Sequence, residues 1–296
     1  MTDELAEKPK GAASGSKSGR LAVVATPIGN LGDITLRALE ALKGADAIAC
    51  EDTRTTAKLL ARHGIRRPTT PYHDHNAQKA RPVLLARMAK GETIALVSDA
   101  GTPLVADPGY KLVTEAIDAG IGVDFLPGPS APIAALVLSG LPTDRFLFAG
   151  FLPPKTAARR DTLKEFAALR ASLIFFESPQ RLAASLADMA AVLGDRQAAV
   201  ARELTKLYEE IRRGTLAELA AHYEEAGAPK GEIVVVVGPP LAQEAPSEAD
   251  LDALLRTALK RESLRDAVAA VAEATGEPRR AVYARALALG SPNRKK

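Results

Sequence analysis

The sequence predicts an α/β protein built from two successive α/β blocks and closed by a small all-helical module. Three observations carry that reading. Short apolar runs of strand type alternate with segments of helical period from Leu21 to Gly238. The runs are separated by Gly/Pro loops, and after a Pro-rich polar stretch only helical periodicity remains. The chain has 296 residues, room for two domains and a small third at about 100–200 residues per domain. An apolar fraction of 47% and a charged fraction of 25% exclude wholesale disorder.

Residues 1–20 are rich in Gly, Ser and Lys without an apolar period and read as a disordered tail. The first block spans 21–144. Its strands are LAVVAT (21–26), DAIAC (46–50), TIALVS (93–98) and VDFLP (123–127). Asp33 is placed to cap a helix carrying Ile34, Leu36, Leu39 and Leu42, and Thr53 opens a helix that Gly64 ends. Further helices follow His75-Asn76, occupy 110–119 and follow PGPSAP (127–132). Strands alternating with helices imply a parallel sheet covered on both faces.

The second block, 145–238, has strands FLFAGF (146–151), SLIFFE (172–177), AAVARE (198–203) and GEIVVVVG (231–238). Helices fill 156–170, 179–193 and 215–226. Residues 239–247 read as a linker, and 248–290 as three helices with a helix-turn-helix outline. In that outline Gly276 stops one helix and Pro278 starts the next, which sets Arg279, Arg280 and Tyr283 where contacts to a nucleic-acid groove are made. Residues 291–296 form a basic tail.

The net charge of +3 is localised: residues 248–296 hold 10 Lys+Arg against 7 Asp+Glu, and the rest of the chain is balanced. That is where a nucleic-acid contact is cheapest to build, although a solvated basic tail gives the same count. No apolar run approaches the roughly 18–20 residues of a membrane helix. The N-terminus lacks an apolar signal region, and the single cysteine, Cys50, fits a reducing compartment. The expectation is a cytoplasmic protein.

Chemistry is expected at three loops unusual in length or Gly/Pro content, TPIGNLGD (26–33), DAGTPLVADPG (99–109) and PGPSAP (127–132). In an open parallel sheet all three emerge at the carboxyl ends of strands, where ligands bind. There is no G-x-x-x-x-G-K-[ST], no G-x-G-x-x-G after the first strand and no G-x-S-x-G, which argues against nucleotide-phosphate sites and a hydrolase elbow. His73-Asp74-His75 lacks a clear third metal ligand, so no metal is expected. Asp99 and Asp107, in a loop otherwise made of backbone groups, suit a ligand with hydroxyls and positive charge.

Nine strings then appear in order: TPIGNLGDITLRALE (26–40), EDTRTT (51–56), HDHN (73–76), SDAGTPLVADPGY (98–110), PGPSA (127–131), GFLPPK (150–155), FFESPQR (175–181), ARELTK (201–206) and KGEIVVVV (230–237). Together they resemble the small-subunit ribosomal RNA 2′-O-methyltransferases of the tetrapyrrole-methylase superfamily. Departures are small: Val105-Ala106 replace Ile-Ser or Ile-Asn, Phe176 a common Tyr, and Gln180 a common His. The resemblance implies S-adenosylmethionine held in a cleft between two α/β domains of a homodimer. By motif, Thr26 and Pro27 line its floor, and Asp99, Ala100, Gly101 and Thr102 hold the amino-acid and ribose ends. Ser130, Ala131, Phe176 and Leu204 bracket the adenine or methionine part, although Phe176 and Leu204 read equally well as ordinary core.

The implied reaction is methylation of a cytidine 2′-hydroxyl in 16S ribosomal RNA, on an assembled small subunit. Positioning supplies several kcal/mol of such a displacement, and a proton acceptor or nearby cation adds about 10²–10⁴-fold. Glu51, Asp52, Arg54, Glu177, Glu203 and Lys206 are the candidates in the matched strings. Glu203 and Lys206, three residues apart just past a strand, are singled out with Arg54, which alternatively holds an RNA phosphate. Each of the first pair also reads as a surface ion-pair partner. Two rival functions are a small-molecule tetrapyrrole methylase and a non-catalytic ligand sensor that binds nucleic acid.

Overall fold

The computed structural model describes residues 19–106, 109–240 and 248–290. The expected tails at 1–18 and 291–296, most of the linker, and Asp107-Pro108 lie outside the described residues. The chain divides into two units, one ending at Pro239 and the other beginning at Pro240.

In the first unit the chain runs β1 (Arg20–Val24), α1 (Leu36–Gly44), β2 (Ala47–Cys50), α2 (Thr53–Arg62), β3 (Thr69–Pro71), α3 (Ala77–Ala89) and β4 (Thr93–Val97). It continues through α4 (Tyr110–Asp118), β5 (Gly122–Leu126) and α5 (Ala131–Ser139). The five strands form one all-parallel sheet in the order β3-β2-β4-β1-β5. Alternation along β1 explains its cover. Ala22 and Val24 pack with Ala38 and Leu42 of α1 and Leu59 of α2. Leu21 and Val23 pack with Leu84 and Met88 of α3 and Leu112 of α4. A strand buried on both faces must be apolar at every position, as LAVV is.

The second sheet is mixed. It contains β6 (Phe146–Phe151), β7 (Ser172–Glu177), β8 (Gln197–Arg202), β9 (Glu210–Thr215) and β10 (Ile233–Val237), ordered β6-β7-β10-β8-β9. Only β6 and β7 run parallel. Its outer face is covered by α6 (Thr156–Phe166), α7 (Leu182–Leu193) and α8 (Leu216–Ala226) through Leu163, Leu186, Met189 and Leu219. Its inner face is covered by α5 from the first sheet, where Ala135 and Leu136 meet Ile174, Val234 and Val236. That crossing brings the carboxyl edge of the first sheet beside the second.

Several sequence expectations shift. Arg20, assigned to the tail, is the first residue of β1, and its guanidinium reaches Asp124 at 2.6 Å. Thr35, not Asp33, caps α1 by accepting from the Ala38 amide at 3.1 Å, because Leu31–Asp33 form a separate 3₁₀ turn. Pro179–Arg181 are likewise a 3₁₀ turn before α7. Strands β3 and β9 were not anticipated. The first has three residues ending in Pro, and the second (EIRRGT) is a charged edge strand, two ways in which edges hide their signal.

The second unit contains α9 (Glu248–Ala258), α10 (Leu264–Thr275) and α11 (Arg279–Gly290) around Leu255, Val268, Val271, Val282 and Ala286. Ser263 caps α10, and Gly276 ends it at φ +71°, the left-handed cap position that glycine fills without strain.

Candidate active site

The three Gly/Pro loops are joined to one another at the carboxyl edge of the first sheet. Thr26 and Gly101 exchange backbone hydrogen bonds of 2.8 and 3.0 Å. The Thr26 hydroxyl donates to the Ser98 carbonyl at 3.1 Å, and the Thr102 hydroxyl to the Pro129 carbonyl at 3.2 Å. Gly101 holds φ +79°, and a Cβ there would sit 3.3 Å from Ile28. The tight backbone-to-backbone approach therefore selects glycine.

These loops and the inner face of the second sheet enclose a cleft of about 380 Å³. Ala100, Gly101, Thr102, Ser130 and Ala131 form one wall, and Phe176 and Leu204 belong to the other. Phe176 is set by edge contacts with Phe148 at 5.0 Å and Phe151 at 5.4 Å. Thr26, Pro27 and Asp99 do not line the cleft. Thr26 and Pro27 are buried behind it, and Asp99 is exposed with its carboxylate accepting from the Asp52 amide at 3.0 Å. Ile28, Phe151, Glu177, Gly231 and Glu232 line it without having been singled out for binding. All five lie in strings already quoted for the resemblance, Glu177 also among the acid–base candidates, but no periodicity says that those strings meet.

The carboxylates differ in what occupies them. Glu177, with 1% of its side chain exposed, accepts from the Ser185 hydroxyl at 2.5 Å and the Ser178 amide at 2.8 Å, and Arg181 lies 3.3 Å away. Glu203 accepts from Lys206 Nζ at 2.7 Å and from the Glu232 amide at 3.0 Å, which together hold its carboxyl below the usual range. Its own amide donates to the Glu232 carbonyl, and its φ is +51°. Gly231, at φ +105°, lies against it, since a Cβ there would fall 2.4 Å from Glu203 Cγ. Lys206 also reaches Glu232 at 3.1 Å. Glu203 and Lys206 thus meet each other, as expected, but neither lines the cleft.

Asp52 caps α2 and binds the Arg54 side chain at 2.7 Å. The Arg54 side chain, followed by its amide, pulls the Asp52 carboxyl down to about 2. Arg54 itself is 88% exposed at this corner of the sheet edge. Glu51, at the end of β2, enters no side-chain hydrogen bond or ion pair among the described residues. Burial, then Asp99, Asp74 and Asp52, raise its carboxyl, while His73 opposes them. The rings of His73 and His75 stand 6.0 Å apart, and no group of three potential metal ligands occurs among the described residues.

In the second unit, Arg279, Arg280 and Tyr283 are exposed at the start of α11, while Val282 and Ala286 face the module core. Arg285 is engaged with Asp252 at 2.6 Å and Glu248 at 2.8 Å. Among the described residues no helix is long and apolar enough to cross a membrane.

Comparison with known proteins places this architecture. Residues 20–220 match the model for tetrapyrrole (corrin/porphyrin) methylases, and residues 245–290 match the RsmI C-terminal HTH domain. The chain is 57% identical over 270 residues to ribosomal RNA small subunit methyltransferase I of Mesorhizobium japonicum, covering 91% of this chain and 92% of that one. It is 48% identical to the protein of the same name from Escherichia coli O157:H7, covering 92% and 96%. Among solved structures, a cobalt precorrin-4 methyltransferase superposes with a TM-score of 0.58 at 18% identity, covering 77% of this chain and 97% of its own. Diphthine synthase gives 0.59 at 18% identity, covering 74% and 89%. With a methylase model over most of the first unit and close relatives along nearly the full length, this chain belongs to the ribosomal RNA small subunit methyltransferase I family of the tetrapyrrole methylases.

Proposed function

We propose that this chain transfers the methyl group of S-adenosylmethionine to the 2′-hydroxyl of a cytidine in 16S ribosomal RNA, acting in the cytoplasm as a homodimer on the small ribosomal subunit. The observation that carries the ligand is the charge of the cleft. Its described lining includes neither lysine nor arginine, and its two acidic residues, Glu177 and Glu232, are already paired with Arg181 and Lys206 outside it. A phosphate-bearing cofactor needs cations there, whereas a sulfonium with an apolar adenosyl group does not. A volume of about 380 Å³ also lies in the range of small-ligand sites.

When bound, the sulfonium supplies an already activated methyl group. What remains for the chain is binding and alignment. Ala100–Thr102 present backbone groups, and Ser130 and Ala131, at the start of α5, line the cleft with the Ser130 hydroxyl not spent on capping the helix. Phe176 and Leu204 offer apolar area to the adenosyl group. Thr26 and Pro27 hold the loops behind this wall, and Asp99, exposed at the sheet edge, ties its loop to the Asp52 amide. Arg54, and Arg279, Arg280 and Tyr283 on the helical module, are exposed where RNA phosphates and grooves are reached. The dimer reading is supported by exposed apolar groups on the β5 edge and α5, where Phe125 and Val137 are 51% and 68% exposed.

The test incubates the chain with methyl-labelled S-adenosylmethionine and small subunits from cells lacking it, then digests the RNA to nucleosides. Label in 2′-O-methylcytidine is the expected result, and sedimentation is expected to give twice the monomer mass. Label only in a small tetrapyrrole, or S-adenosylmethionine bound with no transfer to RNA, would replace this reading with one of its rivals. The double substitution Arg279→Ala/Arg280→Ala is expected to weaken subunit binding about tenfold and lower the salt slope by about two, with S-adenosylmethionine binding unchanged.

A further inference from the structure

The parallel sheet divides its carboxyl edge between two kinds of group. On the β4-β1-β5 side the loops give backbone and small side chains to the cleft. On the β3-β2-β4 side, Cys50 pairs in register with Pro71 and Val97, so the following residues place Glu51, Asp52, His73, Asp74 and Asp99 together. The two halves touch: the Asp52 amide donates to Asp99, and the next residue, Ala100, lines the cleft. None of these five residues lines the cleft itself, so a substrate group that meets them extends along the sheet edge past Ala100.

Of the four carboxylates singled out as acid–base candidates, Glu51, Asp52, Glu177 and Glu203, three are already engaged. Glu177 is saturated by Ser185, Ser178 and Arg181. Glu203 is held by Lys206 and the Glu232 amide, and Asp52 by the α2 amides and Arg54. In each the carboxylate oxygens already accept from these donors. Glu51 alone in that set has no such partner among the described residues, and it is partly exposed at the sheet edge. We infer that Glu51 is the proton acceptor of the reaction, facing the ribose hydroxyl while Arg54, two residues past the cap, holds an adjoining phosphate.

The step balances. The 2′-oxygen forms its bond to the methyl carbon as the methyl–sulfur bond breaks, its electron pair leaving on sulfur as a neutral thioether. The hydroxyl proton passes to the Glu51 carboxylate, which becomes a neutral acid and later returns the proton to water. Burial and the carboxylates of Asp99, Asp74 and Asp52 favour that neutral acid, and His73, whose Nδ1 is buried without a partner, opposes it. A carboxylate of raised basicity is the better acceptor.

The inference rests on the RNA 2′-O-methylation proposed above, and the wild-type chain on small subunits is the control for that reading. If the wild type labels no ribose, the reading itself is wrong. Where it does, Glu51→Gln is expected to lower single-turnover transfer by about 10²–10⁴-fold, with S-adenosylmethionine and subunit affinities within about twofold of wild type. The wild-type rate is expected to rise with pH along an acid limb, absent from Glu51→Gln and moved to higher pH in His73→Asn. Carbon-13 labelled carboxyls on the free protein are expected to show Glu51 titrating above ordinary glutamates. Transfer by Glu51→Gln within threefold of wild type, or the acid limb unchanged in it, overturns the assignment.

Discussion

The two sheets of the first unit handle charge in opposite ways. At the second sheet, Glu177 and Glu203 are tied to neighbouring hydroxyl, amide and cationic donors and fasten strand ends. At the first, Asp52 is likewise tied to Arg54 and the start of α2, but Glu51 beside it, near Asp99 and Asp74, has no such donor among the described residues. Strand direction is the cause. A parallel sheet sends every carboxyl end to one edge, where loops and polar side chains collect around a ligand. A mixed sheet splits its ends, and here contributes mainly a wall of Phe176, Ile233 and Val234. A carboxylate in a family-like string is therefore not a catalytic signal until its partners are known.

The largest test of this contrast removes a charge from the second half. Asp188 is 5% exposed and pairs with the nearly buried Arg159 at 2.5 Å and with Arg160 at 2.6 Å. Asp188→Ala leaves a buried guanidinium uncompensated and is expected to lower unfolding free energy by about 3–5 kcal/mol in urea titration. S-adenosylmethionine affinity of the folded fraction should be retained, because the pair lies outside the cleft.

Glu203→Gln addresses the contrast directly. It is expected to destabilise by about 1–2 kcal/mol, as for loss of a hydrogen bond to a charged group, with transfer per folded molecule within a few-fold of wild type. Loss of turnover at unchanged stability would move catalysis to the second sheet. The pH dependence has a definite sign. Lys206 and the Glu232 amide depress the Glu203 carboxyl, so its contribution is complete above the unfolded-state value and fades as pH falls through the lower folded one. Wild type should lose that increment in acid, and Glu203→Gln should show a flatter acid limb.

Arg54→Gln probes the first edge. Its exposure predicts unchanged melting, a severalfold higher KM for the subunit and a salt slope smaller by about one. The smallest comparison uses helix caps. Thr215→Ala removes a capping box with Glu218, whereas Thr35→Ala removes a single bond to the Ala38 amide. Each is expected to cost about 1 kcal/mol, the Thr215 change more, by paired thermal melts.

Much of the fold was legible before any coordinates. Runs such as LAVV and TIALV announce strands covered on both faces, and Gly276-x-Pro278 announces the turn between two helices. Strands β3 and β9 were not, since three residues ending in proline and a charged edge carry no apolar alternation. Of the residues expected to bind, Ala100–Thr102, Ser130, Ala131, Phe176 and Leu204 meet at one cleft, while Thr26 and Pro27 are buried behind it and Asp99 is exposed at the sheet edge. Motif strings mark where the chain bends near a ligand, not which side of the bend faces it.

The sequence by itself determined the order of elements, the parallel first sheet, the three loops at its edge and the helical module, because burial patterning and turn chemistry are local. Tertiary structure alone decided that α5 crosses to the second sheet, that Gly231 makes room for Glu203, and that Lys206 is engaged by two carboxylates. Those outcomes depend on which distant strand ends become neighbours. The raised carboxyl of Glu51 follows from the same packing, first from its burial at the sheet edge and then from Asp99 and Asp74, brought beside it by two other strands.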